Sequence, residues 1–321
     1  MKKPLFLIVA FLFLSIANLQ AQQIAAADLK KLQQKEDSLQ RLVKNVYIDS
    51  LTAGRMRSDS QFVKTLVRSL LIKNSFYYPF DSLQGVSKIY SPDSLFRIFS
   101  WSISYDDFYS RQKGAIQFKT SDGSLKLVPL IDYYEFTPKP LDSVRTNRNW
   151  IGAVYYNIIK TEHNGKAYYT LFGFDDHSVR TSKKWIDVLH FDAKGQPQFG
   201  VPFTFENDSV KRPVQYRHSI EYKKEASTFV NYDPELKMII LHHLISETDE
   251  PDKAYTMVPD GDQEAFVWKG GKWVHIDKAF DFKLEDGQAP LPDPIRNGTG
   301  TNNEQKLKER SDKNKTKKGG N

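Results

Sequence analysis

Several segments between positions 150 and 245 are apolar on both of the faces that a β-strand presents. Such a strand must be covered on both sides. In Trp150–Ile159, one face carries Ile151, Ala153, Tyr155 and Ile159, and the other carries Trp150, Val154, Tyr156 and Ile158. Tyr168–Phe174, Trp185–Phe191 and Met238–Ile245 read the same way. This pattern excludes a single exposed sheet. It also argues against an outer-membrane barrel, whose lumen-facing positions alternate with polar residues.

The segments are punctuated by turn signals. Asp122-Gly123, Asn164-Gly165 and Gly270-Gly271 are two-residue hairpin signals, and Ala193-Lys194-Gly195 is a longer one. No helical periodicity separates them, so an antiparallel meander is expected, closed as a sandwich or a barrel-like body. Ahead of it, Leu29, Leu32, Leu39, Val43 and Val46 recur at helical spacing, with Glu36 interrupting the stripe. A second amphipathic stretch holds Phe62, Val63, Leu66, Val67, Leu70 and Leu71, with Ser58 or Asp59 as its N-cap. The expected fold is α+β: N-terminal amphipathic helices, then a predominantly antiparallel β body. The expected divisions are a leader at 1–21, a helical region at 22–85, the β domain at 86–287 and a Pro-rich then basic tail at 288–321.

The leader is read from Met1-Lys2-Lys3, the apolar run Pro4–Ala17 and a small residue, Ala21, at the cleavage point. The run is short of the ~20 residues that span a bilayer, so the expectation is a periplasmic, outer-membrane-associated or extracellular protein without a membrane span after cleavage. The chain has no cysteine. Thiol nucleophiles, disulfides and cysteine-held zinc are therefore excluded, and the fold must rest on its hydrophobic core.

The formal charge of +7 is misleading. Lys2 and Lys3 belong to the leader, and residues 295–321 carry eight Lys/Arg against three acidic residues. The body between them nets to zero, which gives no footprint for specific nucleic-acid binding. The tail reads as a disordered, solubilising end, with tail-driven binding of an acidic polymer as the alternative.

Phe96–Trp101, Tyr169–His177, Ser182–Asp192, Phe199-Gly200 and Trp268–Trp273 together resemble a pattern of exported β-rich proteins of Bacteroidetes. That group carries no assigned activity, so the resemblance implies an envelope placement and transfers no catalytic residue.

Candidate sites are few. Asp175-Asp176-His177 follows a strand apolar on both faces and heads a polar loop, a usual place for binding residues. It lacks the spacing of a calcium loop. His190 and Asp192 share the i, i+2 spacing of one strand face and are weak metal candidates, although Asp192 also opens a turn. His242-His243 point to opposite faces and cannot easily chelate one ion. Trp101, Trp150 and Trp185 read as core, whereas Trp268 and Trp273 flank a turn and can pair across it. No catalytic residue is identified and no cofactor is implied, since glycine-rich phosphate loops, G-x-S-x-G elbows and H-E-x-x-H pairs are missing.

Asp-Ser followed by an aliphatic residue occurs six times, placing Ser38, Ser50, Ser82, Ser94, Ser143 and Ser209 in one context. It resembles the acceptor of periplasmic O-glycosylation in Bacteroidetes. Helix and turn starts use the same residues. The function expected is non-catalytic binding of an envelope protein or glycan through loops of the β domain. The alternative is a hydrolase acting on an envelope polymer or nutrient with unidentified carboxylates.

Overall fold

The computed structural model describes residues 24–106, 109–206, 208, 211–280 and, in the tail, 303, 305–306, 308–309 and 312. The leader, the Pro-rich segment, Ser209 and nearly all of the basic tail lie outside the described residues. The chain divides into two units, Met1–Ala279 and Phe280–Asn321.

Among the described residues of the first unit, two helices come first, α1 (Ala26–Ile48) and α2 (Thr52–Leu70). Fifteen strands follow among the described residues, named in chain order. A first sheet has the order β1 (Ser87–Tyr90), β2 (Phe96–Ser104), β3 (Ser110–Phe118), β4 (Lys126–Ile131), all antiparallel. A second runs β5 (Arg145–Thr146), β9 (Pro197–Phe199), β8 (Thr181–Phe191), β7 (Lys166–Asp175), β6 (Val154–His163), with β11 (His218–Lys223) also pairing with β8. A third runs β10 (Phe203–Thr204), β15 (Lys272–Ile276), β14 (Met257–Lys269), β13 (Met238–Ser246), β12 (Val230–Asp233). Within it only the short β10–β15 pair is parallel. The fold is thus the β-rich α+β class expected. The barrel-like alternative is corrected: the strands form open sheets, because short strands such as β5 and β10 end the pairing before closure.

The doubly apolar strands find their cover by strict period two. On β7 and β8, Tyr169, Leu171, Trp185 and Leu189 join one core with Phe96, Ile98, Ile116 and Trp150 of the first-sheet side. The intervening Phe172, Ile186 and Val188 join another core with Ile239, Leu241, Phe266 and Trp273 of the third sheet. Phe99 and Trp101, on the other face of β2, meet Leu32, Leu39, Phe62 and Leu66 of the helices. The second sheet is therefore covered on both faces. Asn164 and Gly165 both take positive φ at the β6–β7 turn, as a two-residue hairpin of this hand requires.

Three expectations need correction. Helix α2 starts at Thr52, so Ser58 and Asp59 are not its cap. Asp59 is buried inside the helix and accepts the Trp101 indole N–H at 2.9 Å. Trp150–Ile159 is not one strand: Trp150–Ala153 precede β6, which starts at Val154. Asp122-Gly123 lies within a seven-residue connection between β3 and β4, where Gly123 offers its carbonyl to Asn74 N–H. Glu36 interrupts the apolar stripe for a reason: it is buried, accepts the Tyr78 hydroxyl, and takes the backbone N–H of Ser82 at 2.7 Å and Leu83 at 3.1 Å.

Candidate functional site

The loop headed by Asp175 lies where the first and second sheets come together at one end. Asp175 closes β7, and its Oδ1 accepts the His177 backbone N–H at 2.9 Å, a local aspartate turn. His177 sits at φ 50°, a left-handed conformation uncommon outside glycine and a sign of a shaped loop. Ser178 braces the far side, accepting Arg180 N–H at 3.2 Å and Thr181 N–H at 3.1 Å.

From this loop a closed circuit of polar contacts runs through five strand and turn segments. Gln112 of β3 donates Nε2 to Asp175 Oδ1 at 3.0 Å. The Gln112 backbone N–H goes to Asp132 Oδ2 at 3.0 Å, and Asp132 Oδ1 takes Tyr134 N–H at 3.0 Å and Gly152 N–H at 3.2 Å. Tyr134 receives a hydrogen bond on its hydroxyl from Lys183 Nζ at 2.5 Å, and Lys183 pairs with Glu221 Oε2 at 2.9 Å. His177 completes the ring, with Nε2 3.5 Å from Glu221 Oε1 and Nδ1 3.5 Å from Asp175 Oδ2.

Burial lifts the Asp132 carboxyl above its ordinary range, although the backbone N–H groups of Gln112, Tyr134 and Gly152 pull the other way. Burial likewise disfavours the Lys183 charge, but the Tyr134 hydroxyl and Glu221 outweigh it and hold its pKa above the ordinary lysine value. Gly152 is required by close approach: an added Cβ would stand 2.4 Å from Gln112 Cβ and 2.7 Å from Asp132 Cγ.

Beside the Gln112, Asp132 and Asp175 side of the circuit lies a chamber of about 60 Å³ lined by Tyr109, Gln112, Asp132, Tyr134, Asp175 and His177, among others. On the other side of His177 lies an open depression of about 250 Å³, with Ser110, Asp176, Ser178 and Lys224 in its wall. The 3-10 turn Tyr134–Phe136 carries Tyr134 inside. Its flanking rings, Tyr133 (42 % exposed) and Phe136 (62 % exposed), lie 5.1 Å apart in solvent.

Comparison with family models, with curated proteins and with solved structures found no match.

The other sequence candidates fare unequally. Asp176 is exposed and ion-paired with Lys224, so within the Asp175–His177 trio only Asp175 and His177 join the circuit. His190 and Asp192 do not come together on a ligand. Burial, then Lys166, depresses the His190 pKa to about 4, and Asp192 accepts Lys194 and Gln196 N–H at 2.8 Å each as a turn residue. His242 contacts Thr228 Oγ1 at 3.2 Å whereas His243 contacts Asp260 Oδ2 at 2.9 Å, across a bulge. Among the described residues no group of three or more His, Cys, Asp or Glu is placed to hold a metal ion. Trp268 and Trp273 do pair across their turn, centroids 5.3 Å apart.

Sequence reasoning missed Gln112, Asp132, Tyr134, Lys183 and Glu221, which are scattered over more than a hundred positions. The only local signal was that Lys183 and Asp132 are charged residues beside apolar strands.

Proposed function

We propose that the chain is an exported envelope protein that binds a glycan, or failing that a protein partner, through the loops around Asp175–His177 and without catalysis. The observation that carries this reading is the polar circuit around a small chamber, with hydroxyls, a histidine and an exposed aromatic pair beside it. Sugar hydroxyls need convergent donors and acceptors, and sugar faces favour aromatic rings. Small openings of this kind suit a glycan better than a broad protein surface. The envelope placement is supported by the N-terminal charge and apolar pattern and by the resemblance to exported Bacteroidetes proteins. No helix among the described residues is long and apolar enough to cross a membrane.

Of the serines in the Asp-Ser-aliphatic context, Ser50, Ser82 and Ser94 are exposed, which suits them as acceptors of O-glycosylation. Ser38 instead bonds back to Gln34 O at 3.0 Å within α1, and Ser143 to Asp142 at 2.7 Å.

The hydrolase reading draws on one observation, that Asp132 and Asp175 line the same chamber. Against it, both Asp132 oxygens are already held by backbone N–H donors. A thermal-shift panel of glycans, peptidoglycan fragments and envelope polymers tests the proposal. A ligand at a hundred times its Kd stabilises by about 2.7 kcal/mol, several degrees for a chain of this size. A shift with at least one glycan is expected. Turnover of a polymer, lost in Asp175→Asn, would replace binding by hydrolysis.

A further inference from the structure

We infer that the chamber beneath the Asp175–His177 loop accepts a primary ammonium group, and that the ligand presenting it is an amino sugar. The choice of a sugar rests on the glycan reading above, whereas the ammonium chemistry rests on the chamber alone. Gln112 is 4 % exposed and lines the chamber, and its Oε1 has no hydrogen-bond partner. The orientation of the amide is set by chemistry, because Nε2 must face the Asp175 carboxylate at 3.0 Å and Oε1 would repel it. A buried acceptor left open asks for a donor.

Asp132, Asp175 and Glu135 give the lining three carboxyl groups, and the nearest cations, Lys183 and Arg111, stand outside it, on the Tyr134 hydroxyl and the Asp132 carbonyl. A cation is therefore the preferred donor, and a metal ion is disfavoured because the carboxylates are not gathered for coordination. The volume of about 60 Å³ holds only a few water-sized groups, which suits an alkylammonium head. Tyr134 is already engaged by Lys183, whose Nζ meets its hydroxyl and lies 4.9 Å from its ring centroid, so the ammonium is left to Gln112 and the carboxyl groups. The exposed Tyr133 and Phe136 rings beside Tyr134 give a stacking surface for a pyranose attached to that head.

The test uses the purified protein and two sets of probes. Side-chain amide resonances of Gln112 are followed by NMR during titration with methylammonium chloride and with tetramethylammonium chloride. Binding of glucosamine trimer, N-acetylglucosamine trimer, a neutral glucose trimer and trilysine is measured by calorimetry. The expected result is a saturable Gln112 shift with methylammonium and not with the bulkier ion, and at least tenfold tighter binding of glucosamine trimer than of its N-acetylated counterpart. Glu135→Gln, at the exposed rim, should weaken the glucosamine trimer several-fold without changing the fold. Silence toward methylammonium overturns the ammonium inference, and if a neutral trimer still binds, the glycan reading survives it. Trilysine matching the glucosamine trimer overturns the assignment to a sugar. Methylammonium binding with no sugar bound sinks both the amino-sugar assignment and the glycan reading.

Discussion

Gln112 Nε2 stands 3.0 Å from Asp175 Oδ1, and this one hydrogen bond joins the third strand of the first sheet to the loop that leaves the second. Sixty-three residues separate the two in sequence. Their pairing fixes the loop, keeps the Gln112 amide in one orientation and defines one wall of the chamber.

Gly152 is the tightest point of that wall. Gly152→Ala should destabilise by about 1–3 kcal/mol through overpacking, and weaken ligand binding more than it lowers stability, because the added Cβ meets Gln112 and Asp132 directly. Urea denaturation alongside calorimetry separates the two effects. A fully neutral Gly152→Ala would show that the chamber wall is not packed as described.

Asp59 and Trp101 fasten helix to sheet. Asp59→Ala leaves the buried indole N–H without its acceptor and should cost about 1–3 kcal/mol, whereas Asp59→Asn, which retains an oxygen, should cost less. Equilibrium unfolding of both variants checks the order.

Arg97 is fully buried and gives hydrogen bonds to Gln117 Oε1 at 2.8 Å, Tyr78 O at 2.6 Å, Tyr90 Oη at 2.7 Å and Ser75 O at 2.8 Å. Its guanidinium also lies 4.6 Å from the Phe99 ring centroid. Burial lowers its pKa to about 10, still high enough to keep it charged near neutrality. A lysine cannot reproduce the planar fork, so Arg97→Lys should lose at least about 2 kcal/mol by chemical denaturation.

The pH dependence has two limbs of opposite sign. His218, packed against Phe203, Phe205 and Phe266, is depressed to about 3 by burial, then by His275 and Arg212. Its contribution to stability is present above the ordinary value of 6.5 and is lost as pH falls toward 3. His275 behaves oppositely. Burial opposes its charge, but Glu264 Oε2 at 2.8 Å and Asp208 Oδ1 at 2.7 Å raise it above 6.5. Its contribution is full below 6.5 and is lost as pH rises through the folded value. His218→Leu should flatten the acid limb and His275→Gln the alkaline one, read as denaturation midpoints across pH 4 to 9.

How far these features were legible depends on their range along the chain. The doubly apolar strands could be read because alternation at Tyr169, Leu171, Phe172, Trp185 and Ile186 is local and periodic. Asn164-Gly165 could be read because positive φ at two successive positions is a backbone demand. Asp59 was misjudged as a cap because an aspartate near a helix start and one buried inside a helix look alike until Trp101 is placed beside it. Glu36 was an interruption until Ser82 and Leu83 supplied its partners. Gln112, Asp132, Tyr134, Lys183 and Glu221 left no joint pattern, since β3, β8, β11 and the turn after β4 meet only through tertiary packing. Asp175 and His177 could be singled out as a polar loop because a polar cluster directly after a buried strand is itself a local signal.

The central claim is that the ligand sits at this circuit. The most direct measurement is NMR mapping of the protein with the best glycan of the thermal-shift panel. The predicted result is resonance changes concentrated at Tyr109, Gln112, Tyr134 and His177, with His177→Ala weakening binding at least tenfold. Changes confined to the His242–His243 strand or to the two helices, or unaltered affinity in His177→Ala, would contradict it.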